Sequence, residues 1–287
     1  MYQWLKQLKQ DLFIQLFPSW VKKQFFAGIA QLNWQNIKDK NIENELLLIQ
    51  LFLNHQPKGN FIDVGANLGQ YMFQAERCIQ ASQIYAFEPH PQLNKRLHRL
   101  FKGCHIVEAA LSASEGQAEF KIPFFKSKEI HTRGTLKIEH IETEETNSKR
   151  IKVKLDTIDN FVKKQQLEQI SVIKIDVEGA EFDVINGSSD CIKKYQPILM
   201  IEIEQRHHQT PIQEKIKAIE QLGDYTCVYF NPTTQTLQTD LHNQSIEALQ
   251  SIENHGKNRL FINNFLFIPN ALVANGQLMR WQEMIKG

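Results

Sequence analysis

The chain lacks the features that mark several common protein classes. It has four cysteines in 287 residues, Cys78, Cys104, Cys191 and Cys227, with no CxxC pair and no Cys/His ligand spacing. That scatter argues against a disulfide framework or a zinc site, and no metal is assigned. Reduced, mostly buried thiols in a cytoplasmic protein are expected instead. There is no excess of charge of one sign: 33 basic side chains stand against 32 acidic ones, a formal net charge of +1. Nothing global draws the chain to nucleic acid, so no nucleic-acid partner is expected. No apolar run approaches the ~20 residues of a membrane-spanning helix. The amino terminus does not read as a signal peptide, because Lys6, Lys9 and Asp11 interrupt any apolar core. Internal repeats and low-complexity tracts are missing too.

What remains is an ordinary globular composition, 42% hydrophobic and 23% charged, in a length that suits one large α/β domain with a modest extension. Residues 1–55 read as helices. Trp4, Leu5, Leu8, Leu12 and Leu16 recur at helical spacing until Pro18 breaks the run. Trp20, Val21, Phe25, Ile29 and Leu32 form a second stripe, and Ile42, Leu46, Ile49 and Leu53 a third. These helices either pack on the main domain or form a surface that meets a membrane or a protein partner. Lys6, Lys9, Lys22 and Lys23 among exposed aromatics would serve the second role.

From residue 60 short apolar runs alternate with helical patterns, which argues for βαβ units and a parallel sheet. FIDVGA and IYAFEP read as buried strands, with helices expected over 70–80 and 92–101. CHIVEAAL is read as the third strand. QAEFKIPFF and IKVKL alternate with period two, as exposed or antiparallel strands do. The charged IEHIETEETNSKR between them reads as a surface loop. SVIKID is a strand, and EGAEFDVING a helix opened by Glu178 and Glu181 and closed by Gly187. After the strand PILMIEIE, Thr210, Pro211 and Gln213 have the spacing of a capping box. Ile212, Ile216 and Ile219 form that helix's apolar face, and Gly223 ends it. YTCVYF and RLFINNFLFIP are the last strands.

Three segments carry chemistry. Asp63-Val64-Gly65-Ala66-Asn67-Leu68-Gly69 is a glycine-rich turn at a strand end, where a cofactor can approach backbone closely. A dinucleotide fingerprint needs a second glycine where Asn67 stands and a third where Gln70 stands. S-adenosylmethionine has no pyrophosphate and needs less room there. Glu88 ends the second strand at the distance where a carboxylate accepts hydrogen bonds from ribose hydroxyls, and Pro89 stops the strand behind it. Lys174 and Asp176 share one strand face, with Asp176 at the carboxyl edge where α/β ligands bind.

Together FIDVGANLGQY, YAFEPHP, the LSASEGQAEF region, KLDTIDNF, VIKIDVEGAEFDVINGS, MIEIE and NNFLFIP resemble the FkbM family of methyltransferases, over about residues 57–270. The resemblance implies an α/β, Rossmann-like class I methyltransferase sheet of seven mostly parallel strands with helices on both faces. Residues 1–56 are then a helical extension and 57–287 the methyltransferase domain. It implies S-adenosylmethionine as donor and O-methylation of a hydroxyl on a sugar, glycan or secondary metabolite. Asp63, Gly65, Ala66, Asn67 and Gly69 would line the donor's methionine end. Glu88 and Pro89 would meet the ribose, Ala110 and Leu111 the adenine, and Asp176 the transferring methyl.

An alcohol acceptor must also lose a proton, and Asp176, His207 and His208 are the candidate bases. A metal-assisted variant would use Asp176, Glu202 and Glu204, though these could equally pair with Lys174 or Arg206. A nucleotide-dependent oxidoreductase on a related fold and a non-catalytic binding module are the competing readings.

Overall fold

The computed structural model describes residues 13–37, 42–55, 59–126, 128–143, 145–250 and 261–287. The stripe expected from Trp4 to Leu12 lies outside them. Twelve strands are described: β1 Asn60–Val64, β2 Ile84–Phe87, β3 His105–Val107, β4 Ala110–Leu111, β5 Gly116–Phe125, β6 Lys128–Glu129, β7 Asn147–Asp156, β8 Ile170–Ile175, β9 Ile198–Glu202, β10 Tyr225–Asn231, β11 Thr236–Gln238 and β12 Asn264–Pro269. Eight form one sheet in the order β11-β10-β12-β9-β8-β1-β2-β3. β3, β2, β1, β8 and β9 run parallel, while β12, β10 and β11 are antiparallel additions. The expected seven strands become eight because β11 returns as a hairpin on β10.

The parallel strands are apolar on both faces because helices cover both. Neighbouring residues point opposite ways along a strand. Phe61 thus joins the core beside Met72, Leu97 and Trp281, while Ile62 joins the one beside Phe161, Val184 and Ile216. The helix Glu45–His55 has seven buried apolar residues in eleven, which explains why it carries so little polar face.

The run read as one third strand divides. His105–Val107 closes the main sheet, whereas Ala110–Leu111 pairs with β7 in a second, four-stranded sheet ordered β4-β7-β5-β6. β5 and β7 are antiparallel over nine residue pairs, as their period-two pattern suggested. The charged segment between them is not simply a surface loop. Glu142 is buried and binds Arg133 and Arg206, and Asn147–Arg150 already belongs to β7.

Local capping also departs from expectation. The first helix after β1 stops at Ala75. No capping box forms at Thr210: Pro211 is the N-cap of Ile212–Gly223, and Gln205 Oε1 accepts the Ile212 N–H at 3.0 Å. Gly223 stays helical, and glycine is needed there because a Cβ would lie 2.2 Å from the Tyr225 ring; the left-handed exit is Asp224, φ 56°. Gly187 closes its helix without a left-handed turn, at φ −82°.

The amino-terminal segment enters the core around the helix Ala27–Ala30, whereas the helix Pro18–Phe25 has no buried residue. Phe26, Ile29, Leu32 and Ile37 are buried in the same cluster as Met72 and Leu97. Phe26 stacks on Phe73 with centroids 4.6 Å apart and tilts against Phe101 at 5.8 Å. Among the described residues no helix is long and apolar enough to cross a membrane.

Phe26→Ala should therefore destabilise the whole protein by about 3–5 kcal/mol, the usual range for emptying a buried aromatic site. Urea unfolding should show a lower midpoint at unchanged slope. A midpoint equal to wild type would mean that the segment only decorates the sheet.

Candidate active site

The strand order reverses at β1, which lies between β2 and β8, and ligands of open α/β sheets bind outside the carboxyl ends at such a point. Here the chain leaves β1 through Gly65 at φ 82°, and the Gly65 and Ala66 N–H groups both donate to Phe87 O at 3.0 Å. A Cβ on Gly65 would lie 1.8 Å from Asp176 O, so the turn after β1 and the turn after β8 touch backbone to backbone. Asn67 is left-handed at φ 48°, and its N–H donates to Glu88 Oε2 at 2.7 Å. Glu88 Oε1 accepts the His90 N–H at 2.8 Å. One buried carboxylate thus joins the loops after β1 and β2.

Two clefts meet here. The first is largely apolar and is lined by Gly65, Asn67, Phe87, Glu88, Pro89 and Leu111 among others, with Ala110 beside them. His131, Thr132 and Gly134, from the second sheet's loop, close it opposite. The second cleft is polar and contains Ala66, Glu43, Tyr71, Asp176, Glu178 and Glu202. Gly65, Asn67, Thr132, Asp176 and Glu178 line both.

Most of the residues expected from sequence therefore converge, and four do not reach a cleft. Asp63 is buried behind the turn, 2% exposed, with Oδ2 lacking a hydrogen-bond partner among the described residues. Gly69 backs onto the Phe101 ring, 2.5 Å from where its Cβ would be, and serves packing. His207 turns to Glu178, Nε2 to Oε2 3.4 Å, with its ring stacked on His140 at 4.7 Å. Burial, helped by the Arg206 charge, pushes its pKa down to about 4. His208 points at Glu181, Nε2 to Oε2 3.4 Å, and at the Phe182 ring.

The electrostatics centre on Lys174, which is fully buried. Its Nζ donates to Asn264 Oδ1 at 3.1 Å and lies 3.8 Å from Asp176 Oδ2 and 4.0 Å from Glu202 Oε2. Burial opposes its charge, but Asp176, Glu202, Glu43 and Asp63 together hold its pKa above the ordinary value. Carboxylates outnumber this cation, so burial wins on their side. Asp63 and Glu88 are each pushed up to about 7, and Glu178 to about 8 with Asp176 adding to the effect. Asp176 is raised by burial against the pull of Lys174. Arg206 is held by Glu204 and by Glu142 at 2.7 Å, so both pairings weighed against a metal do form.

Sequence reasoning read Glu178 as a helix-start residue. The helix begins at Glu181, and Glu178 sits in the preceding turn at φ 52°, followed by Gly179 at φ 96°. Thr135 Oγ1 donates to Glu178 O at 2.6 Å and holds that conformation. Glu43 and Tyr71, which share a 2.8 Å hydrogen bond, were also not singled out. Glu43 stands between two helices and has no motif to mark it.

The model of the methyltransferase FkbM domain matches residues 63–260. The chain belongs to the FkbM methyltransferase family. Among its relatives, methyltransferase sdnD of Sordaria araneosa is 26% identical over 182 residues, covering 51% of this chain and 69% of that protein. The hexuronic acid methyltransferase AglP of Haloferax volcanii is 26% identical over 166 residues, covering 56% of this chain and 63% of AglP. The crystal structure of methyltransferase FkbM from Methylobacillus flagellatus is similar at 12% identity with a TM-score of 0.44, covering 73% of this chain and 43% of that one. The alignments thus span less than two thirds of AglP and under half of the crystallised FkbM chain.

The raised carboxyls of this FkbM methyltransferase give a signed pH dependence. Folded, Glu178 titrates near 8 against an ordinary value of 4.5. It binds its proton more tightly in the native state, so its contribution is complete below about pH 4.5 and is lost as pH rises through about 8. Glu178→Gln imitates the protonated form. Thermal midpoints of variant and wild type should be alike at acid pH, with the variant the more stable by pH 8. Parallel midpoints across that range would show that Glu178 is not raised.

Proposed function

We propose that this protein is an S-adenosylmethionine-dependent O-methyltransferase acting on a hydroxyl of a sugar, glycan or similar small molecule. The observation that carries the reading is the pair of clefts joined at Gly65, Asn67 and Asp176, one apolar and one rich in carboxylates. The donor has the same two halves, an adenosine and a cationic sulfonium bearing an α-amino acid. Ala110, Leu111, Phe87 and Pro89 suit the adenine. Glu88 suits the ribose, since each of its oxygens has only one backbone donor and keeps a free lone pair. Asn67 Oδ1 is buried without a partner among the described residues and is available to the donor's methionine end. The surplus of carboxylates over Lys174 favours a cationic ligand. Pyrophosphate would face that surplus instead, which disfavours the nucleotide-dependent alternative.

When bound, the donor supplies an electrophilic methyl group, which is the difficult part of the chemistry. The chain positions the acceptor oxygen and takes its proton. Asp176 and Glu178 line the junction of the clefts, and each is placed for that proton in its ionised form, which for Glu178 requires loss of the proton it holds below about pH 8. His207 and His208 stand behind Glu178 and Glu181 instead. Acidic side chains in the second cleft suit a polyhydroxylated acceptor, whose hydroxyls donate to them. The action of AglP on a hexuronic acid, as its name states, agrees with a sugar acceptor.

Glu88→Ala should weaken S-adenosylmethionine binding about tenfold or more in calorimetric titration, from loss of charge-assisted hydrogen bonds worth about 1.5–3 kcal/mol each. NAD should give no heat with wild type. Tight NAD binding, or unchanged affinity of a folded Glu88→Ala protein, would remove the donor assignment.

Asp176→Asn and Glu178→Gln should both keep donor binding. Methyl transfer to a glucuronoside probe, followed as S-adenosylhomocysteine formation, should fall roughly 10²–10⁴-fold in the variant that lacks the base. Retained transfer in both, with loss in His208→Ala, would move the proton to that histidine.

A further inference from the structure

Eight large apolar side chains are exposed among the described residues, and five of them fall within residues 13–25: Phe13, Leu16, Phe17, Trp20 and Phe25. Each is between 44% and 60% exposed. They are not scattered. Phe13 packs on Phe17 with centroids 5.2 Å apart and edge-on to Trp20 at 5.4 Å, so an aromatic cluster stands preformed on the surface. The segment that carries it is anchored near both ends, where Ile14 and Phe26 are buried in the core. A solvent-facing cluster of this kind is uncommon on a chain that meets only water, and marks a contact surface.

The charge beside the cluster identifies the partner. Pro18, Ser19, Lys22, Lys23, Arg99 and Lys102 line a cleft next to the aromatic residues, with Glu76 the acidic side chain among them. Glu76 is already engaged by Lys22. Exposed Lys23 and Lys102 leave the cleft a positive surplus where the chain as a whole is nearly neutral, at +1. Aromatic side chains at the level of lipid headgroups, flanked by lysine and arginine, are the make-up of an interfacial anchor. A second copy of the chain meeting this face symmetrically would bring two basic clefts together, which an anionic surface avoids.

We propose that the face formed by Phe13, Leu16, Phe17, Trp20 and the Lys22–Lys23–Arg99–Lys102 cleft docks on an anionic phospholipid membrane. The aromatic cluster enters the headgroup layer while the basic cleft holds lipid phosphates. Phe25, at the end of the same helix, lines a groove with Gly28, Ile29 and Ile42 that ends on Glu43 and Gln70. Those two residues also line the polar cleft, so this groove runs to the site where the acceptor is expected.

Sedimentation of the full chain with vesicles tests this directly. Binding is expected to vesicles of phosphatidylcholine and phosphatidylglycerol in equal parts, to weaken with added salt, and to be missing with phosphatidylcholine alone. Phe17→Ser with Trp20→Ser, and separately Lys23→Glu with Lys102→Glu, should each lower the partition coefficient roughly tenfold or more. All four side chains are on the surface, and thermal midpoints matching wild type confirm that the variants fold. No binding to the anionic vesicles would overturn the proposal, as would equal binding to both vesicle types or undiminished binding by either variant. Light scattering that shows a dimer dissolved by the Phe17 and Trp20 changes would overturn it in favour of a second copy.

Discussion

The ammonium of Lys174 is wholly out of water, and the site is organised by that charge. A buried cation is tolerated only with paired and hydrogen-bonded surroundings. Here Asn264 supplies the hydrogen bond, and Asp176 and Glu202 the nearest negative charge. Those partners come from the ends of three neighbouring strands. The sheet order β12-β9-β8 is what brings them together. The acids exceed what one lysine neutralises, and several are forced to hold protons near neutral pH. The site is thereby prepared for a cation, which is the polarity that a sulfonium donor brings.

The loops around this charge are fastened to each other. Gly65 packs against the Asp176 carbonyl so closely that no side chain fits between them. Glu88 ties the Asn67 and His90 amides, and Thr135 ties the Glu178 carbonyl. Thr135 reaches across from the segment paired with β5 in the second sheet. That sheet therefore closes the apolar cleft and also sets the strained turn that points Glu178 into both clefts. Strain of this kind is retained where surrounding contacts over-determine it.

The amino-terminal segment has two chemically different sides. One side, through Phe26, Ile29 and Leu32, fills the core under the sheet's helices. The other displays aromatic residues beside a basic cleft. Of the two readings made of its helical stripes, packing on the main domain is realised in that core, and the other is the membrane contact proposed above.

The sequence by itself determined the parallel part of the sheet, the glycine turn, Glu88 and Asp176. These are local signals: apolar runs of strand length, a turn that needs glycine, and acids at strand ends. Each is written within a few consecutive residues, so periodicity and spacing reveal it. Tertiary structure alone decided the rest. Whether Ala110 and Leu111 continue β3 depends on β7, some 45 residues onward in register, claiming them. The Ile212 helix takes its cap from Gln205 rather than Thr210 because a folded turn brings that amide near. His207 and His208 follow a strand end that does face the site, but their rings are drawn back by Glu178 and Glu181. Glu43 and Glu178 enter the polar cleft through packing between distant elements. Charge sharing, burial and long-range pairing depend on what lies beside a residue in space, and the order of residues along the chain does not encode that directly.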